Sequence, residues 1–331
     1  MVNQNFLLGQ NYLRAYAAGG NVRFLEDAEG TLEAVPRSDR FFERAQFYLA
    51  IAKTQLRKSE EAITIFDRLK DANLKEIGIR DNDFRNQVEL QLAFAQIKTY
   101  TDHGYAAAEA ILCRLADSSD RSRDVKLQVQ AKSLQAFLYA VMAGRSSAKS
   151  ERPHYAIQAL NLATTLLNSP AIATEARFEA LNASGITWMR IAEGASFGNQ
   201  EEWLREKWQQ INFESSAWQN AERSYRDALA IIPNSVRTLQ NFATMRLIQA
   251  RLAREEKRAD FRKEAKEAVL RSLEVNDQDQ FPYSQLAEIA IEEGDLDLAL
   301  KYIEVGKTRH GAVKPEKWQA LQNNIFQKKN R

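Results

Sequence analysis

The residue types that most often carry catalysis or bind metals are sparse in this chain. His103, His154 and His310 are its three histidines, and none lies four residues from another ligand, as a helical zinc motif requires. The single cysteine, Cys113, follows Leu112 on a predicted helix, where we expect a small buried hydrophobic residue rather than a nucleophile. Histidine and cysteine therefore predict neither an enzyme nor a metal protein.

Glycine and aspartate runs do not complete any ligand-binding motif. Gly19-Gly20 and Gly194-x3-Gly198 lack the strand before and the helix after that a phosphate-binding loop requires. The run from Asp81 to Asp83 suggests calcium, but no glutamate follows at EF-hand spacing, so we expect Asp83 to be a helix N-cap. The sequence predicts no enzyme activity, no cofactor and no metal.

Composition and charge indicate a folded protein without a strong global field. The chain has 331 residues, of which 44% are hydrophobic and 27% charged, and its formal net charge is +2. Such a balance does not by itself attract nucleic acid. No run of 18 apolar residues predicts a membrane helix, and the segment 1–10 lacks the basic start of a signal peptide. We expect a cytoplasmic protein with no membrane partner.

An alanine recurs at the same structural position seven times, at intervals of 34 residues or of 34 plus an insertion, and predicts a helical repeat. A larger apolar residue follows each alanine by four positions, and a small or apolar one follows that by three, so all three share a helical face. The first and last intervals are both 34 residues (28 to 62 and 265 to 299), a length typical of stacked helical hairpins. The seven alanines are Ala28, Ala62, Ala108, Ala156, Ala221, Ala265 and Ala299.

The spacing predicts an all-α solenoid of about seven hairpins over residues 1–312. Extra residues lengthen three hairpins near 144–153, 194–216 and 253–261, in each case between the first and the second helix. Insertions on one face of a repeat array often mark a binding face, although drift in unselected loops explains them equally well. Residues 313–331 predict a capping helix, with Trp318, Leu321 and Ile325 on one side, followed by a basic tail.

These hairpins resemble the tetratricopeptide repeat (TPR) family, whose pattern is W-x2-L-G-x2-Y, then A-x3-F, then P. The match is strong in hairpins one, two, six and seven, for example at Tyr283-x2-Leu286-Ala287 followed by Ala299-x3-Ile303. Hairpins three and four depart from the pattern on their first helices. The resemblance implies a right-handed solenoid that binds an extended peptide or a helix in the groove lined by the first helices.

The family's groove positions are carried over residue by residue. A carboxylate clamp of the kind found in one subset of the family is not expected, because Phe281 and Gln285 stand where its cations belong, although Asn241 matches. The positions implied are Arg44, Phe47 and Ile51 in hairpin two, Arg237, Gln240, Asn241 and Thr244 in hairpin six, and Phe281, Ser284 and Glu288 in hairpin seven.

A tryptophan-rich insertion in hairpin five is a second candidate for partner binding. Trp203 and Trp208 lie in a segment to which the family pattern assigns no position. Their apolar face either folds back onto the array or docks a partner, and tryptophan is enriched among interface hot spots. Both alternatives stay open at this point.

The function that the resemblance implies is that of a non-catalytic scaffold or adaptor. It binds a partner protein, as a subunit or regulator of a larger complex. The alternative is a helical-repeat protein that binds nucleic acid, which would need a basic concave stripe with stacking aromatic residues. Arg44 and Arg237 are too few for such a stripe, and Glu288 interrupts them. The sequence leaves the oligomeric state and the identity of the partner open.

Overall fold

The computed structural model describes residues 3–19, 21–71, 81–117, 125–170, 172–196, 206, 208–209, 216–309 and 313–329. Over these residues the chain forms fifteen α-helices, one short 3-10 helix and no β-strand. Packing divides the chain into two compact units, Met1–Leu13 with Leu25–Ile232 and Arg14–Phe24 with Pro233–Arg331. The predicted all-helical fold is confirmed.

Fourteen of the helices form seven consecutive hairpins, and the fifteenth follows the last of them. Helices α3 to α10 lie wholly in the first unit, and α11 to α15 lie wholly in the second. In chain order the helices are α1 Gln4–Gly19, α2 Arg23–Glu33, α3 Phe42–Gln55, α4 Ser59–Asp71, α5 Asp81–Lys98, α6 Asp102–Ala116, α7 Val125–Arg145, α8 Arg152–Leu167, α9 Thr174–Ser196, α10 Ala217–Ile231, α11 Val236–Leu252, α12 Glu255–Val275, α13 Gln280–Glu293, α14 Leu296–Lys307 and α15 Pro315–Lys329.

The recurring alanine is buried in every hairpin. All seven alanines are fully buried, each on the second helix of its hairpin. The larger residue four positions later is also buried at six of the seven repeats, and only Leu160 is half-buried. The small methyl group of the alanine lets the first helix of the hairpin approach closely. The larger apolar residue four positions later fills the space beside it. The predicted repeat is confirmed by this burial.

The first unit stacks its helices in sequence. Within it, α4 packs on α5, α6 on α7 and α8 on α9, so that the second helix of one hairpin supports the first helix of the next. First helices also touch each other, since α3 contacts α5, α5 contacts α7, and α7 runs along α9. The faces of the first helices are therefore brought side by side within this unit.

A buried lysine joins the first two hairpins of this unit. Lys53 on α3 keeps only 8% of its side chain exposed and pairs with three carboxylates. Its Nζ lies 2.7 Å from Glu29, 3.0 Å from Glu33 and 2.8 Å from Glu61. The carboxylates raise the pKa of Lys53 against the opposing effect of its burial. The charge is thus compensated from both neighbouring helices.

The second unit contains two hairpins and a terminal helix. Ser235, Asp279 and Asp295 cap α11, α13 and α14, each accepting a hydrogen bond from a backbone N–H of the first turn. Gly294 ends α13 with a φ of 85°, a left-handed conformation that glycine adopts without strain.

Helix α15 covers the apolar face of the last hairpin, as the sequence predicts. Trp318, Leu321 and Ile325 are buried against α13 and α14. The two lysines at its end belong to the helix rather than to a separate tail. Lys328 donates to the carbonyl of Ile291, and Lys329 pairs with an aspartate of α14. Apolar burial and polar contacts therefore both hold α15 in place.

Three expectations from the sequence are wrong in detail. Asp83 lies inside α5, which begins at Asp81, and is not its N-cap. The segment 253–261 is taken up by α12, so only Ala253 and Arg254 separate α11 from α12. Cys113 is exposed rather than buried, because it lies one residue beyond the inward-facing Leu112 on α6.

Within the described ranges, no helix is both long enough and apolar enough to cross a membrane.

Candidate functional site

The groove residues predicted in hairpin two lie at the junction of α3 and α5. Arg44, Phe47 and Ile51 are all half-buried on α3. The Phe47 ring centroid lies 5.2 Å from that of Phe84 on α5 and 6.1 Å from that of Phe66 on α4. Ile51 packs against the same apolar cluster. Phe47 and Ile51 therefore join the hairpins together and present only part of their surface to solvent.

The next two first helices carry an aromatic pair that shares a cation. Phe94 on α5 and Phe137 on α7 have ring centroids 6.5 Å apart. The ammonium of Lys98 lies 5.1 Å from the centroid of Phe94 and 5.9 Å from that of Phe137, within the range of cation–π attraction. Phe94 and Lys98 are half-buried, whereas Phe137 is buried. Two rings thus support one partly exposed positive charge.

A tyrosine and an arginine extend this pair at the ends of α5 and α7. Tyr100, in the turn after α5, keeps 37% of its surface exposed, and the guanidinium of Arg145 lies 4.4 Å from its ring centroid. We call Phe94, Lys98, Tyr100, Phe137 and Arg145 the aromatic–basic cluster. Its members come from two consecutive hairpins whose first helices pack together. The sequence did not predict it as a site.

The cluster has a positive potential that acts on the Tyr100 hydroxyl. Partial burial by itself raises the pKa of this phenol, but the charges of Lys98, Arg145 and Arg57, with a hydrogen bond to Lys98, lower it overall. A lowered phenol pKa means that the surroundings favour a negative charge. Arg57 comes from the turn after α3, so charges from three successive hairpins contribute to lowering the pKa of Tyr100.

Two residues at this place have a backbone conformation that usually requires glycine. Arg57 has a φ of 63° and Tyr100 a φ of 55°, and each follows the first helix of its hairpin, as Gly294 does in hairpin seven. A bulky residue in the left-handed region costs about 1–3 kcal/mol relative to a relaxed one, and such strain concentrates at functional sites. Long side chains therefore occupy turn positions where glycine would be unstrained.

The groove residues predicted in the second unit bond mainly to one another. Gln240 on α11 donates to Asp279 over 2.7 Å, and Thr244 donates to the carbonyl of Gln240 over 2.9 Å. The amide of Gln285 on α13 donates to both the Gln240 carbonyl and the Thr244 hydroxyl over 3.0 Å. This network joins α11 to α13 and uses the polar groups that a bound peptide would need.

Glu288 is also engaged within the second unit. It pairs with Arg251 over 2.6 Å and with Lys317 of α15, and Arg251 pairs in addition with Glu292 over 3.0 Å. Only 13% of the Glu288 side chain is exposed. The terminal helix therefore neutralises a position that the sequence assigned to the groove.

Of the remaining predicted positions of this unit, Arg237, Asn241 and Phe281 are half-buried and Ser284 is buried, all on the same two first helices. Arg237 and Asn241 lie on α11, and Phe281 lies near the start of α13. The hydroxyl of Ser284 donates to the carbonyl of Phe281 over 2.8 Å. The unit thus brings the predicted positions together but pairs most of their polar groups internally.

Of the two tryptophans in the insertion, only Trp208 is among the described residues. Trp208 is buried with 2% exposure among Ala156, Ile191 and Ala192 of the first unit. A Cβ added at Gly194 would lie 2.7 Å from its ring, so the indole rests directly on the backbone of α9. For Trp208 the folding-back alternative applies, and the expectation of partner contact through this ring is corrected. Trp203 lies outside the described residues.

The surroundings of Cys113 do not activate its thiol. Gln135 donates to its sulfur over 3.2 Å, and partial burial and the carboxylate of Glu109 raise the pKa of the thiol. A raised pKa disfavours the thiolate, which is the nucleophilic form. Among the described residues, no group of three or more histidine, cysteine or acidic side chains is placed to hold a metal ion.

Comparisons with known proteins give distant structural likenesses. No family model matches the sequence, and no curated protein matches it. A monomeric IFIT1 mutant with m7Gppp-AAAA is similar at a TM-score of 0.41 and 13% identity, covering 98% of this chain and 74% of that one.

Two further structures are more distant. The TPR2AB-domain:pHSP90 complex of yeast Sti1 is similar at a TM-score of 0.28 and 15% identity, covering 87% of this chain and 98% of that one. The P58(IPK) TPR domain is similar at a TM-score of 0.26 and 16% identity, covering 99% of this chain and 99% of that one. Likenesses at these values carry no argument about function, and the hairpins of the chain itself define its fold. With seven buried alanines, one in each hairpin, and a capped last hairpin, the chain has a helical-repeat fold.

Proposed function

We propose that this chain is a non-catalytic scaffold or adaptor that holds an extended segment of another protein, as a subunit or regulator of a larger complex. The contact surface is the aromatic–basic cluster of the first unit. The observation that supports this proposal most strongly is the pair Phe94 and Phe137 on adjacent first helices, with Lys98 over both rings.

The cluster combines the two components of a protein-binding hot spot. The half-buried ring of Phe94 and the exposed ring of Tyr100 provide apolar area with little loss of side-chain entropy on binding, and the buried ring of Phe137 supports Phe94. Cations at their edge provide charge complementarity and orientation for an acidic segment. The first helices α5 and α7 are rigid elements, which keep the side chains in place before binding.

The groove positions of the second unit contribute less to the proposed contact. Glu288 and Gln240 already have charged or polar partners within the unit. A bound segment would have to replace these contacts before gaining its own, so its net gain would be small. Asn241 remains the position of this unit from which we expect a contribution, because it is half-buried at the family's groove position.

Site-specific photo-crosslinking tests the proposal. A benzophenone amino acid replaces Phe94 in the full chain, which is expressed in its native source and irradiated, and mass spectrometry maps the adduct. The expected result is a discrete protein adduct whose cross-linked peptide is extended and acidic. A matched probe replaces Ile157, which is 45% exposed on the second helix α8, and should give no such adduct.

A purified partner then allows a quantitative check. The double variant Phe94→Ala, Lys98→Ala should bind at least about tenfold more weakly than the original chain, as expected for hot-spot residues. Its helical content should stay unchanged. Adducts with nucleic acid in place of protein at position 94 would support the alternative nucleic-acid-binding function and contradict the proposal.

A further inference from the structure

We propose that Asp102 and Ser147 form a latch that positions Arg145 over Tyr100 in the aromatic–basic cluster. This inference rests on the proposed function, because it names the residues that hold part of the proposed contact surface in place. Asp102 and Ser147 are positioning residues, which act through Arg145 and do not themselves contact the partner.

The latch joins the two chain segments that carry this part of the cluster. Asp102 begins α6 two residues after Tyr100, and Ser147 follows Arg145 by two residues in the turn after α7. The backbone N–H of Ser147 donates to one carboxylate oxygen of Asp102 over 3.3 Å, and its hydroxyl donates to the other. Hydrogen bonds to an ionised carboxylate are stronger than those between neutral groups. One residue of hairpin four therefore binds the start of the second helix of hairpin three.

The turn that carries Ser147 is also fixed to its own hairpin. The guanidinium of Arg152, at the start of α8, donates two hydrogen bonds to the carbonyl of Ser146 over 3.0 and 2.8 Å. The N–H of Ser146 continues α7 by donating to the carbonyl of Met142 over 3.0 Å. Helix α7, the turn and α8 are thus connected, and the contact of Ser147 with Asp102 fastens this end of the hairpin to hairpin three.

Arg145 is a side chain whose position depends on such support. It is the exposed last residue of α7, and its guanidinium lies 4.4 Å from the centroid of the Tyr100 ring. A long side chain loses much rotamer freedom when it is fixed in one place. Because the latch holds the chain segments on both sides of this stack, less freedom remains to be lost when a partner binds.

The latch also gives a role to the insertion in hairpin four. The sequence shows extra residues near 144–153 and leaves open whether they mark a binding face or result from drift. Ser147 lies in this segment and contacts the preceding hairpin. The extra residues therefore support the contact surface on α5 and α7, and they need not touch the partner themselves.

The pKa of Tyr100 tests the latch without any partner. The charge of Arg145 is one of the causes that lower this pKa, so separation of Arg145 from the ring should raise it. Carbon-13 NMR of the full chain, labelled at the ζ carbon of tyrosine, follows the titration between about pH 8 and 12. Tyr100→Phe identifies the signal, and Arg145→Gln gives the rise expected when the charge is lost.

Asp102→Ala is the decisive variant, because two explanations predict opposite signs. Removal of a negative charge by itself lowers the pKa of a nearby phenol, whereas release of Arg145 raises it. The latch predicts a rise, with unchanged helical content because Asp102 is exposed. A fall in the pKa of Tyr100, or no change, would overturn the inference.

Variants of the turn sharpen this test. Ser147→Ala removes the hydroxyl and keeps the backbone N–H, so it should raise the pKa of Tyr100 by less than Asp102→Ala does. Ser147→Thr keeps both donors and should leave the pKa unchanged. Ser150→Ala, at an exposed serine of the same turn, is the matched control and should also leave it unchanged. A rise as large for Ser150→Ala as for Ser147→Ala would contradict the latch.

Cross-linking measures the consequence for binding. The benzophenone probe at position 94 is combined with Asp102→Ala, with Arg145→Ala or with both, and the yield of the protein adduct is compared. Asp102→Ala should reduce the yield about threefold to tenfold, the range expected when one long side chain is no longer ordered before binding. The double variant should lose no more than Arg145→Ala alone, because the latch acts through Arg145. Additive losses would overturn the inference.

The two measurements separate this inference from the proposed function. A discrete adduct at position 94 whose yield is unchanged by Asp102→Ala would leave the proposed function standing and overturn the inference. If the probe gives no protein adduct while Asp102→Ala still raises the pKa of Tyr100, the proposed function fails and the positioning of Arg145 by the latch is upheld.

Discussion

The charged residues of the first helices have different surroundings in the two units. In the second unit, Glu288 lies between Arg251 and Lys317, and hydrogen bonds join Gln240 to Asp279 and Gln285 to Gln240. In the first unit, the charges of Lys98, Arg145 and Arg57 act on the Tyr100 phenol and lower its pKa overall, although burial by itself raises it. The repeat pattern predicts which positions face a groove, and the contacts of the second unit show that Gln240 and Glu288 already have partners within the unit.

Packing should be equivalent in the two units, and this prediction carries the largest expected effect. Trp208 rests on Gly194 in the first unit, and Trp318 rests on Gly306 in the second, with 2% and 4% exposure. Trp208→Ala and Trp318→Ala should each lower the free energy of unfolding by about 3–5 kcal/mol, the usual cost of removing a buried tryptophan. Urea denaturation measures both. A cost below about 1 kcal/mol for either ring would mean that it is not part of a core.

Removal of the buried lysine in the first unit should have the next largest effect. Lys53→Met leaves Glu29, Glu33 and Glu61 without their common partner, and we expect a loss of about 2–4 kcal/mol in the free energy of unfolding. Glu33→Gln is the matched control. It removes the charge of a half-exposed carboxylate that pairs with Lys53, and it should lower the free energy of unfolding by less than Lys53→Met does. An unchanged denaturation midpoint for Lys53→Met would show that the pairs do not contribute to stability.

The ion pairs around Lys53 predict that the stability of the protein depends on pH. Burial by itself raises the pKa of Glu29, but hydrogen bonds and charges from Lys53 and Lys58 lower it overall from its ordinary value of 4.5. Because the pKa is lower in the folded state, the stabilisation is present above the unfolded pKa and is lost as the pH falls through the folded pKa. Glu29→Gln should therefore flatten the acid side of the stability profile below about pH 4.5. Unfolding followed between pH 2 and 7 tests this, and an identical acid limb would contradict it.

The ion pairs of Glu288 in the second unit should contribute little to the free energy of unfolding. Arg251 and Lys317 keep nearly half of their side chains exposed, so water can solvate both after Glu288→Gln. We expect a loss of about 1 kcal/mol or less in the free energy of unfolding. The effect should diminish in high salt, as screening requires. A loss as large as that of Lys53→Met would remove the contrast between the two regions.

Relief of backbone strain at Arg57 should stabilise the protein slightly, whereas the substitutions above should destabilise it. Arg57→Gly should raise the free energy of unfolding by up to about 1 kcal/mol, because glycine relieves the left-handed strain and offsets its own entropic disadvantage. Gly294→Ala, the reverse change in the second unit, should cost about 1 kcal/mol. Urea denaturation of both variants measures these changes in the free energy of unfolding. Destabilisation by Arg57→Gly would contradict the assignment of strain.

The repeat itself could be predicted because its signal is local. An alanine followed by a large apolar residue four positions later depends only on helix geometry, and all seven alanines are buried. The capping helix was predictable for the same reason, since Trp318, Leu321 and Ile325 define one face of a single helix.

The candidate site could not be predicted in the same way. Phe94 and Phe137 are 43 positions apart and meet only because α5 packs on α7, in hairpins whose first helices depart from the family pattern. Cys113 was assigned to the wrong side of its helix because one residue of register changes the face by about 100°. The signal that was present is the lack of glycine in the turns at Arg57 and Tyr100, next to basic residues.

One binding measurement tests the central claim most directly. The partner segment identified by cross-linking is titrated by calorimetry against the full chain, the Phe94→Ala, Lys98→Ala variant of the first unit and the Asn241→Ala variant of the second. The account predicts a loss of about tenfold or more for the first variant and less than about threefold for the second, with unchanged helical content in both. A larger loss from Asn241→Ala than from the double variant would contradict it and would place the contact on the second unit.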